Sequence, residues 1–268
     1  MMKDTNTSKD AVVFLNERQH NIIDLVEKKG SVRVADLSKQ FEVSEETIRR
    51  DFEKLETEGF VERRHGGAVR SQKQDELEIP ALKRQAMNIQ EKNIIAAKAA
   101  SMVEDGDIVG IDASTTGLQM TKYLKDKEIT IITNSIGVTL EFAKEELIQV
   151  ILVGGYLSEG SMSLVGNFAE RVIQDYHVDK FFFSCQGVDF KRGISEIHEA
   201  QALVKKQLFS ISERLFLLAD NSKFGEKSLF RLCNLQDINY LITDNKVSIN
   251  KVRELNDLGV KALIADKA

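Results

Sequence analysis

Two cysteines, Cys185 and Cys233, are all that the chain contains, and they share no metal-ligand spacing. That scarcity fits a reducing compartment. The four histidines, His20, His65, His177 and His198, are scattered and form no HxxxH or HExxH array, so neither a metal nor a cofactor is expected. No apolar run approaches the ~18 residues that a membrane helix requires. The opening MMKDTNTSKDAVVFLN has no apolar core long enough for a signal peptide. The expectation is a cytoplasmic protein with no membrane partner. Proline occurs once, as Pro80, and there is no internal repeat or low-complexity tract.

What remains is a globular composition, 42% hydrophobic and 29% charged over 268 residues, enough for one large or two ordinary domains. The formal charge of -5 argues against indiscriminate nucleic-acid binding, yet it averages over domains. The N-terminal quarter reads as short helices. Ile22, Ile23, Leu25 and Val26 share one side of a first helix that ends at Gly30. Val34, Leu37 and Phe41, at i, i+3 and i+7, predict a second. In VSEETIRRDFEKLETEGF (43–60), Ser44 is the N-cap, Glu45 and Glu46 favour the positive helix start, Ile48, Phe52 and Leu55 form the buried stripe, and Gly59 closes a third helix. FVERRHGGAV (60–69) then reads as a hairpin turning at Gly66-Gly67.

Helix, helix, tight turn, helix, hairpin is the order of a winged helix-turn-helix, whose third helix enters the major groove of double-stranded DNA. With Ile48 and Phe52 facing inward, the groove side carries Ser44, Glu45, Thr47, Arg49 and Arg50. The wing contributes Arg63, Arg64, His65, Gly66 and Gly67, and residues 61–73 carry a local balance of +3. Arg49 can also pair with Glu45 or Glu53 along the helix, so charge alone would equally describe a solvated face. The helix order and the basic hairpin decide for DNA.

The pattern changes near Ser71. SQKQDELEIP is polar and holds Pro80, which reads as a hinge. Beyond it, apolar runs at 108–112, 129–134, 149–155, 181–187, 215–220 and 240–244 alternate with helical stretches, which predicts an α/β domain with a largely parallel sheet. The division expected is a disordered tail over 1–15, a winged helix-turn-helix over 16–72, a hinge over 73–90 and an α/β effector and oligomerisation domain over 91–268. Ligands of open α/β sheets bind outside the carboxyl ends of the strands. The most informative end is DASTTG (112–117), where Ser114, Thr115, Thr116 and the start of a helix near Gly117 suit an anion, although such turns also serve as N-caps. ADNSKFG sets Asp220 and Lys223 three residues apart, a carboxylate for sugar hydroxyls and an ammonium for phosphate. GGY and TDN read more simply as turns.

The segment VSEETIRRDFEKLETEGFVERRHGGAV resembles the winged-helix region of the DeoR family of bacterial transcriptional regulators. It matches a V-S-x-x-T-I-R-R-D-L core and a wing with H-G-G-A, with Phe52 standing where leucine is usual. The second half is similar to that family's effector domain at Asp112 with Thr115 and Thr116, at Thr133-Asn134-Ser135, at Gly154-Gly155, at Gly166, and at Asp220 with Ser222-Lys223-Phe224. Ser114 replaces a usual glycine. The resemblance implies a fold similar to ribose-5-phosphate isomerase, a phosphorylated-sugar effector held at the hydroxyl turn, and a homo-oligomeric repressor of a carbohydrate operon gripping operator DNA. It further implies that Arg84 and Lys92 reach the effector.

Catalysis is the natural rival, as in a sugar-phosphate isomerase-like enzyme. That enzyme carries a D-G-A-D-E segment and a later glutamate base; here the matching places hold Gln186-Gly187-Val188-Asp189 and Glu199. An amide at 186 takes up no proton at useful pH, so no catalytic residue is assigned. Gln186, Asp189 and Glu199 are assigned to effector binding instead. A structural or adaptor protein is the third class, and the basic wing argues against it.

Overall fold

The computed structural model describes residues 15–70 and 81–266. The chain divides into two compact units, Met1–Asp75 and Glu76–Ala268. The tail expected over 1–15 lies, up to residue 14, outside the described residues, as do residues 71–72 of the expected winged helix-turn-helix and 73–80 of the expected hinge.

The first unit runs α1 (Glu17–Lys29), β1 (Ser31–Arg33), α2 (Val34–Gln40), α3 (Glu45–Thr57), β2 (Val61–Arg64) and β3 (Gly67–Arg70). Asn16 and Gln19 form a capping box at the start of α1, and Gly30, at φ 76°, closes its end. The Ser44 hydroxyl accepts from the Thr47 N–H at 3.2 Å and so caps α3. Ile22, Ile23 and Val26 of α1 and Ile48, Phe52 and Leu55 of α3 are buried. Asp51 ties the two helices: Arg18 Nε donates to it at 2.6 Å and Gln19 Nε2 at 2.9 Å.

The wing differs from its sequence reading in two respects. The turn falls at His65-Gly66, and Gly67 already pairs, with Arg64 on one side and Arg33 on the other. The sheet also has a third strand, β1, in the order β1-β3-β2. The two facts have one cause: a Cβ on Gly67 would stand 2.2 Å from the Val32 carbonyl oxygen, so only glycine lets β3 approach β1 there.

The second unit opens with α4 (Ala81–Ala86), α5 (Ile89–Ala100), β4 (Ile108–Ile111), α6 (Thr115–Met120), β5 (Ile129–Thr133), α7 (Ile136–Phe142) and β6 (Ile148–Leu152). A hairpin of β7 (Tyr156–Ser158) and β8 (Ser163–Val165) leads to α8 (Asn167–Ile173), β9 (Val178–Phe183), β10 (Gly187–Asp189), β11 (Gly193–Glu196) and α9 (Glu199–Ser210). The chain ends with β12 (Ser212–Leu218), β13 (Phe230–Cys233), β14 (Tyr240–Asp244), α10 (Ile249–Asp257) and β15 (Lys261–Ala265). Residues 81–86, inside the stretch read as a hinge, are therefore helical.

Seven strands form one sheet in the order β15-β14-β12-β9-β4-β5-β6, and every pairing in it is parallel. Central strands buried on both faces read as near-continuous apolar runs. In β9, Phe181 and Phe183 join the core beneath α8, α9 and α10, while Phe182 points into the core beneath α5, α6 and α7. The six apolar runs read from the sequence are six of these strands; β15 and the small antiparallel sheets went unread. Replacing Asp51 with alanine is expected to lower the stability of the first unit by about 2 kcal/mol, the scale of a charged hydrogen-bond pair. A shifted urea midpoint followed by circular dichroism checks it.

Candidate functional site

Strand order reverses between β4 and β9: the chain proceeds from β4 to β5 and β6 on one side, and from β9 to β12 and β14 on the other. Loops leaving the carboxyl ends of two such strands diverge and leave a crevice. A cleft of about 390 Å³ lies there. Its walls are Ser114, Thr115 and Thr116 after β4, Ser184, Cys185 and Gln186 after β9, and Asp220, Ser222 and Lys223 after β12, with Arg84 from α4 and Lys92 from α5. Ser114 caps α6, accepting from the Gly117 N–H at 2.9 Å, and its own hydroxyl proton remains available to donate. Lys223 has no ion-pair partner among the described residues. Burial pushes the Cys185 thiol up to about 12, so it stays neutral and is no nucleophile.

Beneath the cleft lies a buried ion cluster. Lys205 Nζ, from α9, donates to the Ser184 carbonyl at 2.7 Å and to Glu196, and pairs with Asp112 at 3.1 Å. Asp112 also accepts from the Ser114 and Ser184 N–H groups, each at 3.1 Å. Burial alone would lower the Lys205 pKa, but the charges of Glu196 and Asp112 outweigh it and raise it. Burial likewise favours the neutral acid at Glu196, and the Lys205 ammonium overrides it, holding the carboxyl below its usual range.

The residues assigned from sequence divide accordingly. Ser114, Thr115, Thr116, Gln186, Asp220, Lys223, Arg84 and Lys92 meet at the cleft. Asp112 sits under it, 1% exposed. Asn134 lies behind it, donating to the Leu164 carbonyl at 3.1 Å. Gly154 and Gly155 do not line it: with φ of 75° and 119° they turn the chain from β6 into β7, and a Cβ on Gly155 would stand 2.5 Å from the Val165 carbonyl oxygen. Asp189 is also elsewhere. It closes the β10–β11 turn, accepting from the N–H groups of Lys191 and Arg192 at 3.0 and 2.7 Å. Glu199 is exposed at the start of α9; the acid at the cleft is Glu196.

On the first unit, Ser44, Glu45, Arg49 and Arg50 are exposed along one side of α3. Arg49 pairs with Glu45 at 2.7 Å and Arg50 with Glu46 at 3.5 Å; on the wing, Arg63 pairs with Glu56 and Arg64 with Glu62. Such solvated pairs are weak and yield readily to phosphate. Arg70, counted with the wing, instead pairs with Glu27 of α1 at 3.0 Å. A shallow groove between α3 and the wing is lined by Arg49, Arg63, Arg64, His65, Gly66 and Gly67.

Two family descriptions match the chain: "DeoR-like helix-turn-helix domain" over residues 18–74 and "DeoR C terminal sensor domain" over residues 87–245. The chain belongs to the DeoR family. Among its relatives, the uncharacterized HTH-type transcriptional regulator YulB of Bacillus subtilis is 46% identical across 93% of this chain and 96% of its own. The L-fucose operon activator of Haemophilus influenzae is 32% identical, covering 91% and 98%. The transcriptional repressor GlcR of Bacillus subtilis is 31% identical, covering 95% and 98%. Ribose 5-phosphate isomerase A from Neisseria gonorrhoeae aligns at a TM-score of 0.38 and 19% identity over 51% of this chain and 53% of that one. No described helix is long and apolar enough to cross a membrane.

Within this DeoR-family sensor unit, sequence reasoning missed Lys205 and Glu196. Lys205 carries a signal, since it falls on the buried stripe of α9 with Ala202 and Leu208. The Glu196 contribution to stability is full above the ordinary carboxylate pKa and is lost as pH falls through its depressed folded value; that of Lys205 is full below the ordinary lysine pKa and is lost as pH rises through its raised one. The pair thus stabilises across the neutral range. Lys205→Met, which leaves Asp112 and Glu196 buried without a counter-charge, is expected to cost about 3–5 kcal/mol. Urea denaturation at neutral pH measures it.

Proposed function

We propose that this DeoR-family regulator is a repressor of a carbohydrate-utilisation operon, released or engaged by a phosphorylated sugar bound in the cleft of the second unit. The observation that carries the reading is the Lys223 ammonium, unpaired among the described residues, in a cleft that also holds Arg84 and the hydroxyl-bearing Ser114, Thr115 and Thr116. Cations beside several hydroxyl donors are the chemistry of a phosphate seat. Asp220 and Gln186, on the same walls, supply groups for sugar hydroxyls. Asp112 acts from below through Lys205 and the Ser114 N–H. The GlcR relative is described as a repressor, and another relative as acting on a sugar operon.

On the DNA side, Arg49 and Arg50 read base edges, with Ser44 and Thr47 at the helix start and Arg63, Arg64 and His65 gripping the backbone. The protein works as a homo-oligomer, dimer or tetramer, because two winged helices then meet repeated or inverted half-sites. The hinge carries the signal: an effector that prefers one arrangement of the chain shifts the population able to hold operator DNA. An isomerase-like activity is not favoured. Gln186 is an amide where an acid is needed, and Glu196 is held ionised by Lys205, which suits it poorly to pass a proton.

Operator affinity, measured by fluorescence anisotropy with and without sugar monophosphates, tests the reading. At least one is expected to change the affinity, and Lys223→Ala is expected to abolish that change; if no sugar phosphate alters operator binding, the cleft is not the sensing site. Arg50→Ala is expected to weaken specific binding by about 1–3 kcal/mol while leaving non-specific duplex binding nearly unchanged. Equal losses on both duplexes would reassign Arg50 to phosphate contact.

A further inference from the structure

Glu196 ends β11 and is 8% exposed, yet its side chain belongs to the cleft. One carboxylate oxygen accepts from Lys205 and the other from the Ile197 N–H at 3.0 Å. An ionised carboxylate offers about four acceptor positions, so part of its capacity remains open. Lys205, in contrast, is fully used. An ammonium has three N–H bonds, and these serve the Ser184 carbonyl, Glu196 and Asp112. Lys205 therefore fixes Glu196 in place and leaves the ligand to it.

The charges around this point add a second constraint. Asp112 and Glu196 face the single ammonium of Lys205, so the cluster keeps one net negative charge under the cleft. The other cations of the lining are Arg84, Lys92 and Lys223, set against the carboxylates of Asp220 and Glu226, and Lys92 Nζ already donates to the Arg84 carbonyl. That supply suits one phosphate group and leaves little for a second acid. Like charges brought together in a partly buried site are costly, whereas a hydroxyl donating to a carboxylate gains a charge-assisted bond.

Building on the phosphorylated-sugar reading above, we infer that Glu196 reads a sugar hydroxyl beside Asp220 and Gln186 and that it restricts the effector to the phosphate monoester of a neutral sugar, discriminating against the matching sugar-acid phosphate. The discrimination follows from leaving a ligand carboxylate against a buried anion whose counter-charge is already engaged.

The test uses the full-length protein and isothermal titration with paired probes: glyceraldehyde 3-phosphate and 3-phosphoglycerate, erythrose 4-phosphate and 4-phosphoerythronate, glucose 6-phosphate and 6-phosphogluconate, with fructose 6-phosphate and inorganic phosphate alongside. The neutral member of the best-binding pair is expected to bind at least tenfold more tightly than its acid partner. Glu196→Gln is expected to bring that ratio close to one, by weakening the neutral sugar and admitting the acid. An acid partner that binds as tightly as its neutral counterpart in the unaltered protein overturns the inference, whether or not the variant folds, and leaves the phosphorylated-sugar reading standing. A preference that survives Glu196→Gln in a folded variant overturns the assignment to Glu196. If none of the sugar phosphates binds better than inorganic phosphate, the phosphorylated-sugar reading itself fails and the inference falls with it.

Discussion

A single ammonium, that of Lys205, organises the second unit's functional end. It joins α9 to the ends of β4, β9 and β11 through Asp112, the Ser184 carbonyl and Glu196. Each partner is committed further. Asp112 fixes the Ser114 and Ser184 N–H groups, and Ser114 in turn caps α6. The two strand ends that flank the topological switch are thus locked at a common charged centre, and the cleft above them inherits its shape from that centre. A buried cluster of this kind adds little net stability compared with apolar packing, yet is costly to break. Its value here lies in holding loop residues at fixed positions, as a ligand site requires.

The two units place opposite demands on their charges. In the second, the ions around Lys205 are buried and permanently engaged. On α3, arginines pair with glutamates one turn away, and on the wing Arg63 pairs with Glu56 of α3 and Arg64 with Glu62 of its own strand, all in solvent. On the proposed DNA-binding reading those pairs are provisional, covering the cations until a polyanion replaces the carboxylates. Glu45 and Glu46 also stabilise the start of α3, so acids at these positions are compatible with the helix-turn-helix domain's binding DNA. Asp51, by contrast, is turned inward and holds α3 to α1 through Arg18 and Gln19. The acids of VSEETIRRDFEKLETEGF thus serve a helix start, arginine cover and an internal tie.

Much of the fold was legible because its signals are local. Ser44 and Gly30 mark helix ends by their own chemistry, and the apolar runs that become β4, β5, β6, β9, β12 and β14 stand out from their surroundings. The wing turn was read one residue late because Gly66 and Gly67 look alike in sequence; the Val32 carbonyl, which only a folded β1 supplies, distinguishes them. β15 is an edge strand with one fully buried residue, and its short run went unread. Around the cleft, DASTTG and ADNSKF were legible as strand ends rich in polar groups. Glu199 and Asp189 were drawn from a resemblance to an isomerase, and that comparison could not separate Glu199 from Glu196, three residues earlier. Only the position of Lys205 across the sheet end decides which of them is held at the cleft.

The central claim is that a phosphorylated sugar in the cleft and operator DNA on the winged helix act on one equilibrium. Linkage makes that claim reciprocal. The direct measurement is a titration of the best-binding sugar phosphate into the protein alone and into the protein saturated with operator duplex. Two different dissociation constants are expected, whose ratio equals the factor by which the sugar phosphate changes operator affinity. Equal constants in the presence and absence of operator would contradict that claim.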